Sequence, residues 1–314
     1  MQLCLSFDVE EHDRIEAAAN VPVPSALREQ YGSRMVDTTR WLLDQLAQHS
    51  IRATFFVVGQ IAEAHPALVR AISHRGHEVA SHGWDHRRIL AMAPDEFRQD
   101  LLRSKTALEQ ATGQAVVGYR APTFSLVRKT AWAIDVLCDC GFQYDSSIYP
   151  VRHDRYGIAD APRGPFIAVG EREAILEIPP LTYRVAGARV PMGGGGYFRL
   201  FPLSFLNRAL RQTARDSAPP VGMLYFHPWE FDPDQPRLPL RGLNRFRTYV
   251  GLKRTAGRLS KLLTEHRFVR AIDVAQELRG QFASLPEFPV AQAASHHWPL
   301  SNARLIAAGP KTID

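Results

Sequence analysis

The feature that most narrows the fold is a repeated alternation of short runs rich in β-branched and aromatic residues with longer stretches whose apolar residues recur at helical spacing. It starts with a strand over residues 3–8, a helix from about Met35 to His49 and a second strand over 53–58. A helix carrying Leu68, Val69 and Ile72 stops near Gly76, ahead of a strand at 77–80. Pro94 and Asp95 open the next helix, with Phe97, Leu101 and Leu108 on one side and Gly113 past its end, before a strand at 116–119. A helix over 129–140 leads to a strand at 143–146, and later strands fall at 175–178, 222–226 and 268–272. About eight strand-helix units over roughly 270 residues predict a parallel sheet rolled into a distorted (β/α) barrel of seven to eight strands. An open doubly wound sheet is the competing arrangement.

This rhythm predicts one domain over 1–278. The Pro- and Gly-rich stretch 149–201 reads as an insertion of loops over the barrel mouth, and 279–314, with SLPEFPV and SHHWPL, as a C-terminal extension. Hydrophobic residues at 45% and charged residues at 22% are ordinary globular values and exclude a low-complexity chain. The net charge of +6 favours an anionic partner. Ten of the lysines and arginines lie in 237–270, interleaved with Val250, Leu252, Leu259, Leu262 and Leu263, which predicts a basic helix with an apolar side. Such a helix either packs on the barrel or meets an anionic membrane or a lipid-linked sugar. No motif supports nucleic-acid binding. Cys4, Cys138 and Cys140 form no CxxC pair, and MQLCLSFDVEEHD meets charge too early for a signal peptide, so a reducing cytoplasm is expected.

Chemistry is suggested by position. Asp8, His82, Arg120, Asp145 and His227 each fall at or just after the C-terminal end of an expected strand, and in a barrel those ends converge on one mouth. His82 and His86, in SHGWDH, can share a metal if the turn between them is helical. A third, anionic ligand is then needed, and Asp8, Glu10 and Glu11 are at hand. The GGGG run at 193–196 lacks a following GK[ST] and reads as a tight loop, not a phosphate loop.

SFDVEEHD, RATFFVVG, GHEVASHGWDH, GYRAPTFS, YDSSIYP and LYFHPWEF resemble, in order, the signature motifs of the polysaccharide deacetylases, or NodB homology domain, over about residues 3–272. The VPMGGGGYFRLFPL stretch and the arginine-rich region after the last motif look closest to the branch encoded with exosortase-linked exopolysaccharide clusters. The resemblance implies that Asp8 is the general base, that His82 and His86 bind a divalent metal, zinc by preference, and that Arg120 keeps Asp8 ionised. It implies that Asp145 orients His227, the general acid. The family's first motif usually carries two adjacent aspartates, whereas Val9 stands second here. That departure nominates Glu10 as the anionic ligand, with Glu11 and His12 as substitutes, because Asp8 and Glu10 share one side of a regular strand. Tyr149, Tyr197 and Trp229 are the aromatics expected to stack on sugar rings.

The implied function is metal-dependent removal of N-acetyl groups from an N-acetylhexosamine polysaccharide or its lipid-linked precursor. Two readings compete with it. One is metal-free hydrolysis of another C–N bond, such as a formamide or a cyclic amide; the other is a catalytically silent sugar-binding barrel, against which the acid-base set of Asp8, Arg120, Asp145 and His227 speaks.

Overall fold

The structure is a computed structural model that describes residues 1–291. Its strands are β1 (Gln2–Val9), β2 (Thr54–Val57), β3 (Glu78–Ser81), β4 (Gly118–Tyr119), β5 (Tyr144–Asp145), β6 (Phe166–Val169), β7 (Ala174–Glu177), β8 (Thr182–Val185), β9 (Ala188–Pro191), β10 (Val221–Phe226) and β11 (Glu287–Pro289). Its helices are α1 (Ser25–Gln48), α2 (Gly59–Ala64), α3 (Pro66–His74), α4 (Pro94–Thr112), α5 (Trp132–Asp139), α6 (Gly195–Leu200), α7 (Leu203–Asp216), α8 (Gly242–Tyr249), α9 (Leu252–Glu265) and α10 (Ala271–Arg279). Nine strands make one curled sheet in the order β10-β1-β2-β3-β4-β5-β7-β6-β11, while β8 and β9 form a separate hairpin. Every pairing in the large sheet is parallel except β6 against β7.

This is the expected α/β architecture as an open half-barrel. Irregular backbone spans the gap between β7 and β10 where a closing strand would lie: Leu181 N–H donates to Met223 O and Tyr225 N–H to Gly193 O. The stretch 149–201 is therefore more than loops over the mouth, since it supplies β6, β7 and the hairpin. Within 279–314, β11 pairs with β6; SHHWPL lies outside the described residues.

Two boundaries differ from the sequence expectation. The first long helix begins at Ser25, straight after Pro24, ten positions before Met35. Residues 268–272 are no strand: one bridge joins Val269 to Cys4, and α10 begins at Ala271. The reason lies in distant polar groups, because Ala271 N–H donates to Thr54 Oγ1 at 2.8 Å and Ile272 N–H to the buried Glu78 carboxylate at 2.9 Å. A helix start satisfies these donors better than a ladder would.

The core lies between the sheet and its helices. Phe7 stacks on Phe55 at 5.0 Å between centroids, and α4 presses Phe97, Leu101 and Leu108 inward, as its pattern predicts. Each such buried side chain stabilises by about 1.5–3 kcal/mol. His77 joins β2 to β3 differently, with its Nδ1 accepting the Ala53 N–H at 3.1 Å. Burial, then the positive Arg75, holds its pKa down at about 4 from the usual 6.5. Its folded pKa is depressed, so the unfolded chain binds the proton first. The stabilisation is complete above about pH 6.5 and is lost as pH falls toward 4. Denaturant titrations at pH 7 and pH 5 should show a loss of about 2 kcal/mol attributable to His77. His77→Gln should show a correspondingly smaller pH dependence; an unchanged one would exclude this histidine as the cause.

Candidate active site

Parallel strands put their C-terminal ends on one rim, and the polar residues follow. Asp8 lies near the end of β1 with Glu10 just beyond, His82 follows β3, Arg120 follows β4, Asp145 ends β5 and His227 follows β10. Asp8, Glu10, His82, His86, His227 and Trp229 line one cavity of about 440 Å³, inside the range of small-ligand sites.

Arg120 is fully buried and anchors this rim. Its Nη1 donates to Asp8 Oδ1 at 2.6 Å and to Ser6 Oγ at 2.9 Å, and its remaining nitrogens reach Ser146 O and Ser146 Oγ. Its guanidinium lies 4.0 Å from the Phe56 ring centroid. A buried cation needs this degree of satisfaction, and Asp8 is thereby held with one oxygen engaged. Asp8 Oδ2 faces His227 Nε2 at 3.9 Å.

Glu10, His82 and His86 each offer a donor atom, all within 4.8 Å of one another. His82 Nδ1 lies 2.8 Å from the Arg120 carbonyl, which can only accept, so Nδ1 carries the proton and Nε2 keeps its lone pair. Burial lowers the His82 pKa to about 4, leaving the ring neutral. Glu10 Oε2 sits 2.5 Å from His86 Nε2, yet this buried oxygen lacks a hydrogen bond of good geometry. Burial opposes the charge on Glu10, but His86, His227 and His82 together hold its carboxyl well below the usual range. A neutral imidazole and an orphaned carboxylate converging with a second imidazole suit a divalent cation with an open coordination face. The turn carrying the histidines is not helical, yet it brings both rings to the cluster. Gly83 at φ +74° and His86 at φ +66° bend it instead, while Asp100 accepts the Trp84 N–H. Glu11 turns away and pairs with Arg14 at 2.5 Å, and His12 packs against Trp229 and Tyr249.

On the opposite wall the expected partner of His227 is replaced. His227 Nδ1 lies 2.9 Å from Glu230 Oε1, which also accepts the His227 backbone N–H at 3.0 Å. Glu230 Oε2 in turn accepts from Arg199 Nε at 2.9 Å. Burial disfavours charge on His227, yet Glu230, Glu10 and Asp8 push its pKa up to about 9; a bound cation nearby would draw it down. Asp145 is engaged elsewhere, with Ser147 Oγ–H at 2.5 Å and with Glu177, its register partner on β7. Burial raises the pKa of both carboxyls, and Asp145 raises that of Glu177 further. HPWE carries a readable signal for Glu230, an acidic residue three positions after a helix-start residue. Arg199 has none, since it approaches from a separate helix.

Tyr197 and Trp229 line the cavity, and Trp229 lies nearly parallel to the His227 ring at 5.4 Å. Tyr149 does not line it. That ring is fully buried against Phe124 and Tyr156, and its hydroxyl accepts the Gly193 N–H. The GGGG run is not a loop throughout, since Gly195 and Gly196 open α6; a Cβ on Gly195 would fall 1.8 Å from Glu230 Oε2.

A curled parallel sheet with a metal-suited cluster beside an acid-base pair at its C-terminal rim defines a hydrolase-type α/β site. Residues 30–144 match the family model for polysaccharide deacetylase, and residues 146–276 match a model described only as a domain of unknown function (DUF3473). Residues 30–144 are thus similar to the polysaccharide deacetylase family, over little more than a third of the chain. Over 101 residues it is 30% identical to a peptidoglycan-N-acetylglucosamine deacetylase from Bacillus cereus, a match covering 32% of this chain and 37% of that relative. A protein described as a probable polysaccharide deacetylase from Pseudomonas aeruginosa shares the fold with a TM-score of 0.59 at 19% identity, covering 89% of this chain and 91% of that one. The PuuE allantoinase shares it with a TM-score of 0.58 at 19% identity, covering 89% and 90%.

Glu10→Ala should weaken zinc binding, measured by equilibrium dialysis with metal analysis, by about tenfold or more. Glu11→Ala should bind zinc as the wild type does. Equal losses in the two variants, or none in Glu10→Ala, would remove Glu10 from the site.

Proposed function

We propose that this chain hydrolyses the acetamide of N-acetylhexosamine units in a polysaccharide or its lipid-linked precursor, with a divalent metal, zinc by preference, held by Glu10, His82 and His86. The observation that carries this reading is the convergence, in one cavity, of that donor set with an Arg120-held carboxylate and a part-exposed histidine. When bound, the metal would polarise the amide carbonyl and acidify the attacking water. Asp8, held in place by the Arg120 guanidinium at 2.6 Å, takes the water's proton. His227 Nε2, facing Asp8 across the cavity at 3.9 Å, gives a proton to the departing amine, so that acetate and a free amino sugar result. Tyr197 offers an aromatic ring to the sugar, and Trp229, buried between His12 and His227, backs the cavity wall.

The allantoinase likeness concerns the fold alone, and the metal-suited trio favours the acetamide reading over metal-free cyclic-amide hydrolysis. The three cysteines are free and buried, consistent with action in a reducing cytoplasm.

The part facing a lipid is α8 and not the longer basic helix after it. In α9 the apolar residues Leu252, Leu259, Leu262 and Leu263 are buried, and Arg258 is tied to the Arg199 and Phe201 carbonyls. By contrast α8 exposes Leu243 (59%) and Phe246 (52%) at the cavity rim beside Arg241, Arg245 and Arg247. Basic charge around exposed apolar side chains suits an anionic lipid surface.

Acetate release from a panel of chitooligosaccharides and lipid-linked acetamido sugars, with zinc added or chelated, tests the activity. Zinc-dependent release supports it, and release unaffected by chelation would favour the metal-free rival. His227→Ala should keep its metal and lose about 10²-fold or more in turnover; activity within a few-fold of wild type would exclude it as the acid. Leu243→Ser combined with Phe246→Ser should cut co-sedimentation with phosphatidylglycerol vesicles by about tenfold. A wild type that does not sediment would end the lipid reading.

A further inference from the structure

The 146–276 region, whose family model carries no function, contributes a buried side-chain chain that ends at the proposed acid. His227, Glu230 and Arg199 are linked in that order by contacts of 2.9 Å each, and the carboxylate and guanidinium are 1% and 2% exposed. Two donors of His227, ring and backbone, converge on one oxygen of Glu230, which fixes both the ring's rotation and the nitrogen that carries the proton. The second oxygen is occupied by Arg199, so Glu230 cannot swing away. Arg199 is itself pinned: Nη1 donates to the Thr248 carbonyl at 2.7 Å and the Val250 carbonyl at 3.0 Å, and Nε also reaches Gly195 O at 3.2 Å. Those carbonyls close the C-terminal end of α8, whose Leu243, Asn244 and Phe246 line the same cavity. At Gly195 a side chain would collide with the Glu230 carboxylate, so the GGGG run makes room for this pair.

We infer that Glu230 and Arg199 are positioning residues for proton donation by His227, filling the role expected of Asp145, and that Arg199 ties the cavity-lining helix α8 to the same anchor. This rests on the deacetylase reading above. Without Glu230 the ring keeps its place just after β10 but loses the partner that aims Nε2 and supports the imidazolium. Proton transfer to the leaving group suffers; metal binding and water activation, on the other wall, do not.

The contrast between a poor and a good leaving group isolates this effect. An amino sugar leaves an acetamide only with a proton, whereas the phenolate of 4-methylumbelliferyl acetate leaves without one. In the zinc-loaded full-length chain, Glu230→Gln keeps an oxygen for Arg199 but no charge for His227. It should lower kcat on the acetylated oligosaccharide by about tenfold or more, with KM and ester turnover within about threefold of wild type. Arg199→Lys should show the same amide-selective loss and also raise the KM for the oligosaccharide, because α8 loses its anchor. Equal slowing of amide and ester in both variants would reduce the pair to general support of the fold and overturn the inference, as would wild-type amide turnover in Glu230→Gln. Failure of the deacetylase reading would appear instead in the wild type, as ester turnover with no acetate from any sugar, and would overturn both.

Discussion

The structure depends most on the buried Arg120–Asp8 pair. Taking a guanidinium out of water costs several kcal/mol unless its nitrogens find acceptors, and here Asp8, Ser6 and Ser146 engage all three of them. Those acceptors come from β1 and from the segment after β5, so satisfying one side chain fixes the curl of the sheet between strands that are far apart in its order. The carbonyl of Arg120 then receives His82 Nδ1, which links the same residue to the metal-suited cluster. Orientation of the carboxylate, tautomer of the imidazole and shape of the rim follow from one desolvated cation.

The two walls of the cavity come from different parts of the chain. Asp8 and Glu10 precede the 30–144 match, His82, His86 and Arg120 lie within it, and His227, Glu230 and Arg199 belong to the region beyond. The first wall gathers negative and neutral donors around a cation-sized space; the second holds a histidine whose charge is supported by a buried carboxylate. The two walls meet at Glu10 and Asp8, which lie 3.6 and 3.9 Å from His227 Nε2. The open edge of the half-barrel is where the second region enters, carrying α6 and the GGGG run against Glu230.

Much of this was legible in the sequence, and the reasons differ by level. Alternating strand and helix periodicities determine a parallel α/β sheet, and parallel strands bring their C-terminal residues to one rim whatever the loops do; so Asp8, His82, Arg120 and His227 could be gathered from spacing alone. The two-residue period of β1 likewise directed Glu10, and not Glu11, toward the histidines. What the tertiary structure decided are contacts between groups distant in sequence, whose energies no local pattern encodes. Asp145 faces Glu177 because strand order puts β7 beside β5, and Tyr149 turned inward because Gly193 offered its hydroxyl a donor. Residues 268–272 gave up strand geometry because Thr54 and Glu78 could cap a helix there. Glu230 holds His227 because Arg199, on another helix, holds Glu230. A buried charge takes the partner that packing brings within reach, and packing is a property of the whole chain.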